Sequence, residues 1–264
     1  MTTRWVRYKS LDGHTGFGVL EADGILEHEG SMFGRNSSTG ESSAIGAVDL
    51  LYPCVPSKII ALWNNFHALA AKLEKSQPKY PLFLIKPPSC VAGPRAVIRR
   101  PESYHGKIVF EGELGIVIGK TCANVSIVEA PKYIHGYTCV NDVTAAELLN
   151  EDPNFPQWCR AKGYDTFGCI GPAIASGLDW STLHVVTKLD GVERQNYPLS
   201  DMIFSPPELV SYLSHDMSLL PGDVIACGTS LGVGSMKPGA TVEISIEGIG
   251  TLVNWLSPSP QTGD

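Results

Sequence analysis

Glycine and proline cut this chain so often that long helices have no room. Its 264 residues hold 27 glycines and 19 prolines, and the stretches between them are short runs of valine, isoleucine and threonine. Such runs suit strands, because a β-branched side chain packs well on a pleated surface while glycine and proline end the element. RWVRYKS, GFGVLE and GILEHE are strand-length segments separated by Asp12-Gly13 and Asp23-Gly24, which together read as a meander of hairpins. SMFGRNSSTGESSAIG, near 31–46, is polar and rich in glycine and serine and reads as a loop or linker. The chain is expected to divide into a small N-terminal β module with its linker, 1–55, and a main domain, 56–264.

In the main domain SKIIALW, LFLIKPPS, GYTCVNDV, CIGPAIAS, HVVTKLDG, VIACGTS and TVEISIEGIGTLVNW are strand-like. Helices are expected in four places: NNFHALAAKLEKSQPKYP, stopped by Pro78 and Pro81; a short helix before GYTCVNDV; a segment from about Thr144 that fades before Pro153; and SPPELVSYLSHDMSL. The last has Leu209, Tyr212 and Leu213 at helical spacing behind Pro207. The expected class is α+β and predominantly β. The closing SPSPQTGD reads as a disordered tail.

A net charge of −7 argues against nucleic acid or an anionic membrane as the main partner, since either favours a basic surface. It leaves room for a small anionic substrate, because one bound cation reverses the field inside a pocket. MTTRWVRYKS lacks the apolar core of a signal peptide, and no segment approaches 18 uninterrupted apolar residues. The seven cysteines are scattered, odd in number and never spaced C-x-x-C. That fits reduced thiols, so a cytoplasmic protein is expected.

VFEGELGIVIGK, residues 109–120, carries two acids where a core strand should be apolar. Period-two alternation puts Phe110, Leu114, Ile116 and Ile118 on one face and Val109, Glu111, Glu113, Gly115 and Val117 on the other. Same-face neighbours lie about 6.5–7 Å apart at Cα, near enough for two carboxylates to reach one Mg²⁺ at about 2.1 Å each. A solvated face would be the ordinary explanation for an isolated E-x-E. Three features weigh against it: the flanking Val and Gly, a third acid (Asp142) in the apolar YTCVNDV, and Lys162 with Asp165 in RAKGYDTFG. Three carboxylates and water make a hard oxygen site suited to Mg²⁺ or Mn²⁺.

Glu111-x-Glu113, GYTCVNDV, RAKGYDTFGCIGP, LLPGDVIACGTSLGVG and IEGIG-x-L-x-N, in that order, resemble the fumarylacetoacetate hydrolase family over about 56–255. The resemblance implies a mixed β-sandwich roll or barrel-like catalytic domain, a homodimer, and 2-oxo or 2,4-dioxo acid substrates. It also implies Mg²⁺ or Mn²⁺ on Glu111, Glu113 and Asp142, catalytic roles for His67 and Lys162, and substrate contacts from Gly228, Thr229 and Asp165. Lys162 could stabilise an oxyanion or enolate, or form an ion pair with Asp165 or a metal carboxylate. LFLIKPPS with Lys86, and LDGVERQNYPL with Arg194 and Gln195, also resemble family segments; the second reads as a hairpin that packs the fold.

The family has His-x-x-Glu where this chain has His67-Ala-Leu-Ala70. That pair activates water in the family, with the glutamate orienting the imidazole. A 2-oxo acid can chelate a metal through its carboxylate and adjacent carbonyl, leaving the carbon chain beyond as a good enolate leaving group. Hydrolysis of a C–C bond in an acylpyruvate-type substrate is the first expectation. Decarboxylation or enol–keto isomerisation of a 2-oxo dicarboxylic acid comes second, because neither depends on activated water. An inactive module that binds metal or an oxo acid is the non-enzymatic alternative.

Overall fold

The computed structural model describes residues 2–22 and 24–258. Asp23 of the second expected turn and residues 259–264 of the expected tail lie outside the described residues. The N-terminal region forms β1 (Thr3–Ser10), β2 (Thr15–Leu20), β3 (Ile25–Gly30), β4 (Asn36–Ser43) and β5 (Val48–Leu50). Then come β6 (Ile59–Trp63), α1 (His67–Lys72), β7 (Leu82–Lys86), β8 (Val91–Ala92) and β9 (Val97–Ile98). The middle of the chain holds β10 (Ile108–Phe110), β11 (Gly112–Ile118), β12 (Ile134–Asp142), β13 (Thr144–Ala145), α2 (Trp158–Lys162) and β14 (Gly168–Ser176). It closes with β15 (His184–Leu189), β16 (Val192–Pro198), α3 (Pro206–Asp216), β17 (Val224–Ala226), β18 (Gly234–Met236), β19 (Thr241–Ile246) and β20 (Gly250–Leu256).

The largest sheet runs β4-β3-β2-β1-β14-β12-β11-β17-β6-β7. After β7 the chain turns through Pro88–Cys90, and β8 pairs parallel with β14, Val91 opposite Gly168. The run from β14 to β7 is thereby curled back on itself, the roll expected from the resemblance. Ile59, Cys90, Val117, Val140, Ile170 and Val224 fill its inside. A second sheet, β16-β15-β19-β20-β9, covers the other face through Leu114, Ile116, Cys139, Ile244 and Leu252. β11 is consequently buried at every position, which explains its nearly continuous apolar reading. The N-terminal strands join the same sheet through β1 and β14, with Trp5 opposite Ile174.

Local sequence was overridden in four places. Residues 36–43, expected as linker, form the edge strand β4 against β3. An edge strand that touches no core carries no apolar alternation, and Ser and Thr keep it soluble. The expected strand 109–120 breaks at Glu111: β10 leaves for a small sheet, β13-β10-β18, while β11 enters the large one. The helix expected from Thr144 is instead β13 followed by a 3₁₀ turn over Ala146–Asn150. Pairing of Ile108 with Ala145, and the Glu147 carboxylate's acceptance of Lys107 N–H, outweigh the local helix preference. Conversely RAKGYD, whose sequence announces no helix, begins in α2, whose Ala161 and Lys162 are buried. α3 appears as expected, with Ser205 and Glu208 forming a capping box and Leu209, Val210 and Leu213 buried. No helix among the described residues is long and apolar enough to cross a membrane.

Parallel β6 and β17 are locked at their starts by one buried carboxylate. Asp223 accepts from Ser57 N (3.0 Å) and Oγ (2.7 Å) and from Leu220 N (2.9 Å), and pairs with the Lys58 ammonium. Asp223→Ala should cost about 3 kcal/mol, since it strands several donors and a partly buried cation. Urea unfolding measures this; a loss under about 1 kcal/mol would show that the lock is dispensable.

Candidate active site

Antiparallel register sets the acidic centre. Gly112 lies opposite Asn141 and Glu113 opposite Val140, so Glu111 faces Asp142, whose N–H donates to Glu111 O at 2.9 Å. Residues facing each other across a pair share a side of the sheet, as do residues two apart on one strand. All three acids therefore converge, and one oxygen from each lies within 4.8 Å of the others. The face is not solvated: Glu113 and Asp142 are buried, and the Glu111 side chain is 18% exposed.

Two buried lysines meet these acids. Lys162, at the end of α2, donates to Glu111 Oε1 (2.9 Å), Asp142 Oδ2 (2.6 Å) and Thr144 Oγ1 (2.6 Å). Lys86, wholly buried at the end of β7, pairs with Asp142 Oδ1 from inside the roll. Of the ion pairs the sequence left open for Lys162, the described partners are the metal-type carboxylates. Burial alone would push the Asp142 carboxyl up, but Lys162 and Lys86 outweigh it and hold it below the ordinary value. Burial would likewise lower the Lys162 ammonium; Asp142, then Glu111 and Glu113, reverse that and keep it protonated. Glu113 has no such cation of its own. Burial first, then repulsion from Asp142 and Glu111, push its carboxyl well above the ordinary value.

Glu113 Oε2 accepts from Gly228 N at 2.9 Å, while Oε1 is buried with no hydrogen-bond partner among the described residues. Gly228 has φ +88°, a left-handed conformation that favours glycine, and this turns its N–H to the acid. An orphaned, buried carboxylate oxygen beside two further carboxylates fits a hard divalent cation. Glu111, Glu113 and Asp142 form an acidic triad able to hold one.

The other expected residues are placed as follows. The Thr229 hydroxyl donates to Gly112 O (3.0 Å) and accepts from Gln195 Nε2 (2.8 Å), so its proton points at backbone between the glutamates. Asp165 is exposed and lines a cavity of about 400 Å³ with Arg99, Pro101, Gly163 and Tyr164. His67 is exposed at the first position of α1, and Ala70, one turn on, is buried. Sequence reasoning passed over Asn65, which ties the entry to α1 to the turn carrying Gly228: its Nδ2 donates to Cys227 O (2.8 Å) and its Oδ1 accepts from Phe204 N (2.8 Å). It also gave no role to Lys86. The available signal was a lysine inside an otherwise apolar strand, where an unpaired charge is not tolerated.

The fumarylacetoacetate (FAA) hydrolase C-terminal profile matches residues 58–257. The chain belongs to the fumarylacetoacetate hydrolase family. An Rv2993c-like N-terminal profile matches residues 3–53. This family member is 39% identical over 253 residues to protein Rv2993c of Mycobacterium tuberculosis, covering 94% of this chain and 93% of that one. It is 37% identical over 214 residues to the oxaloacetate tautomerase YisK of Bacillus subtilis, covering 76% and 70%. Among solved structures, a 2-hydroxyhepta-2,4-diene-1,7-dioate isomerase from Mycobacterium marinum superposes with TM-score 0.89 at 36% identity, covering 98% of this chain and 100% of that one.

Proposed function

We propose that this family member is an enol–keto tautomerase or isomerase of a 2-oxo acid, a dicarboxylic one by preference, working with Mg²⁺ or Mn²⁺. The observation that carries the reading is the buried convergence of Glu111, Glu113 and Asp142 with a lysine held protonated at their edge. Support also comes from two of the relatives, one named an oxaloacetate tautomerase and one a heptadienedioate isomerase.

A divalent cation on the three acids would supply Lewis acidity to the carboxylate and neighbouring carbonyl oxygen of the substrate. Lys162 keeps its proton and acts through charge: with its three N–H groups given to Glu111, Asp142 and Thr144, its ammonium stabilises electrostatically the oxygen on which enolate charge develops. Tautomerisation breaks one O–H bond and forms one C–H bond, so it consumes no water. His67, exposed two residues after Asn65, is assigned as the proton carrier. Asp165 and the Gly228-Thr229 turn border the substrate in this reading. The exposed apolar Leu82, Phe83 and Ile85 of edge strand β7 suit a homodimer, and unpaired cysteines suit the cytoplasm.

Hydrolysis of an acylpyruvate stands second. The family profile is named for a hydrolase, but a buried methyl occupies position 70, so α1 offers no acid there to orient an imidazole. The test follows three products in one preparation with Mg²⁺ or Mn²⁺ and after chelation. Expected are cation-dependent decay of enol-oxaloacetate absorbance, no pyruvate from acylpyruvates, and little CO₂ from oxaloacetate. Pyruvate release without enol decay would replace this reading with hydrolysis; no turnover of any substrate would leave a binding module.

A further inference from the structure

We infer that Gln195 is a positioning residue for the acidic centre: by gripping the Gly112 peptide groups it fixes the angle at which Glu111 and Glu113 converge. The inference rests on the cation-binding reading above and deepens it.

Residue 112 is the single link between two converging ligands, so rotation about its backbone moves one glutamate relative to the other. Its two polar groups are both held by side chains of other elements. Gly112 N–H donates to Gln195 Oε1 at 3.0 Å. Gly112 O accepts from Tyr197 OH at 2.6 Å and from Thr229 Oγ1 at 3.0 Å. Gln195 Nε2 donates to that same Thr229 hydroxyl at 2.8 Å, closing a ring of bonds around the peptide. Gln195 is 1% exposed, and a buried amide that meets a donor with its oxygen and an acceptor with its nitrogen has one allowed orientation.

Packing leaves the peptide nowhere to go. Thr187 lies opposite Gln195 in the β15–β16 hairpin, and a Cβ added at Gly112 would come within 2.1 Å of Thr187 Oγ1 and 3.0 Å of Gln195 Oε1. The strand therefore breaks at Glu111 against a fixed stop. The hairpin thus orders the ligands without offering one. Partners of this kind, one bond removed from the ligands, typically alter metal affinity by about 10–100-fold when lost.

The test measures Mn²⁺ affinity by electron paramagnetic resonance on cation-free protein, with urea unfolding alongside. Gln195→Met keeps length and burial but loses the bonds to Gly112 and Thr229; it should weaken Mn²⁺ binding at least about tenfold. Tyr197→Phe, which loses only the bond to Gly112 O, should weaken it in the same direction by less. Ser57→Ala, in the Asp223 lock, should lower stability while leaving Mn²⁺ affinity at the wild-type value. A Gln195→Met protein that is less stable yet binds Mn²⁺ like wild type would overturn the inference. Should Gln195→Met not fold, unchanged affinity in folded Tyr197→Phe overturns it instead. Wild-type protein that binds no Mn²⁺ removes the cation reading itself, and this inference with it.

Discussion

Replacing Glu113 with glutamine is expected to stabilise the cation-free protein while abolishing its stabilisation by Mg²⁺ or Mn²⁺. The two halves of this result come from one cause. Burial and two neighbouring acids raise the Glu113 carboxyl well above its ordinary 4.5, so the fold favours the protonated form. With the folded value above the unfolded one, its contribution is full below pH 4.5 and is lost as pH rises toward and through the folded value. Near neutrality an ionised Glu113 therefore weighs against the empty fold. Glutamine keeps the shape and an acceptor for Gly228 N–H without the charge. The same charge is what a divalent ion gains from. At a concentration 100 times Kd, bound cation stabilises wild type by about 2.7 kcal/mol, and the variant should lose nearly all of it. Melting temperatures with cation and with chelator read both effects. A variant that melts lower than wild type in chelator contradicts the electrostatic account, and one that keeps the cation-induced rise shows that Glu113 is no ligand.

Lys162→Met should separate turnover from cation binding. The ammonium lies 2.6 Å from Asp142 and 2.9 Å from Glu111, and it is held protonated; it can stabilise developing negative charge but cannot accept a proton near neutrality. Loss of one such preorganised donor typically costs about 10²–10³ in kcat. Cation affinity should stay at wild type or rise, because a competing positive charge has left the carboxylates. Lys162→Arg should rescue little, since a planar fork does not fit where a compact ammonium reaches three oxygens. Turnover of enol-oxaloacetate at saturating Mn²⁺ measures the effect. A fall in kcat below about fivefold would leave Lys162 as a structural ion pair only. Loss of Mn²⁺ binding would mean that it shapes the triad rather than the reaction.

The members of the centre differed in how legible they were. Glu111 and Glu113 stood out because two acids on an apolar strand have no ordinary role, and their alternation places them on one side. Asp142 was suspect for the same reason. Its partnership with Glu111, however, depends on the register of β11 against β12, which one strand's periodicity does not contain. Lys162 was visible as a residue of RAKGYD, while the helix that delivers it was not, because five residues carry too little periodicity to announce a helix. Lys86 lies far away in sequence and across the roll; only closure of β8 onto β14 brings its ammonium to Asp142. Gln195 was read as part of a packing hairpin, and its carboxamide gained meaning only when that hairpin was seen pressed against Gly112.

The sequence by itself determined the mostly β class, the helix α3, the apolar strand and the chemical character of the centre: hard oxygen donors with a cation beside them. Those properties follow from side-chain chemistry and short-range periodicity, which each segment carries alone. The tertiary structure decided where the strand breaks, which strands curl into the roll, which lysines neutralise which acids, and which oxygen of Glu113 is left unpartnered. These depend on register, burial and closure between segments distant in the chain, and such quantities exist only once the sheets have packed.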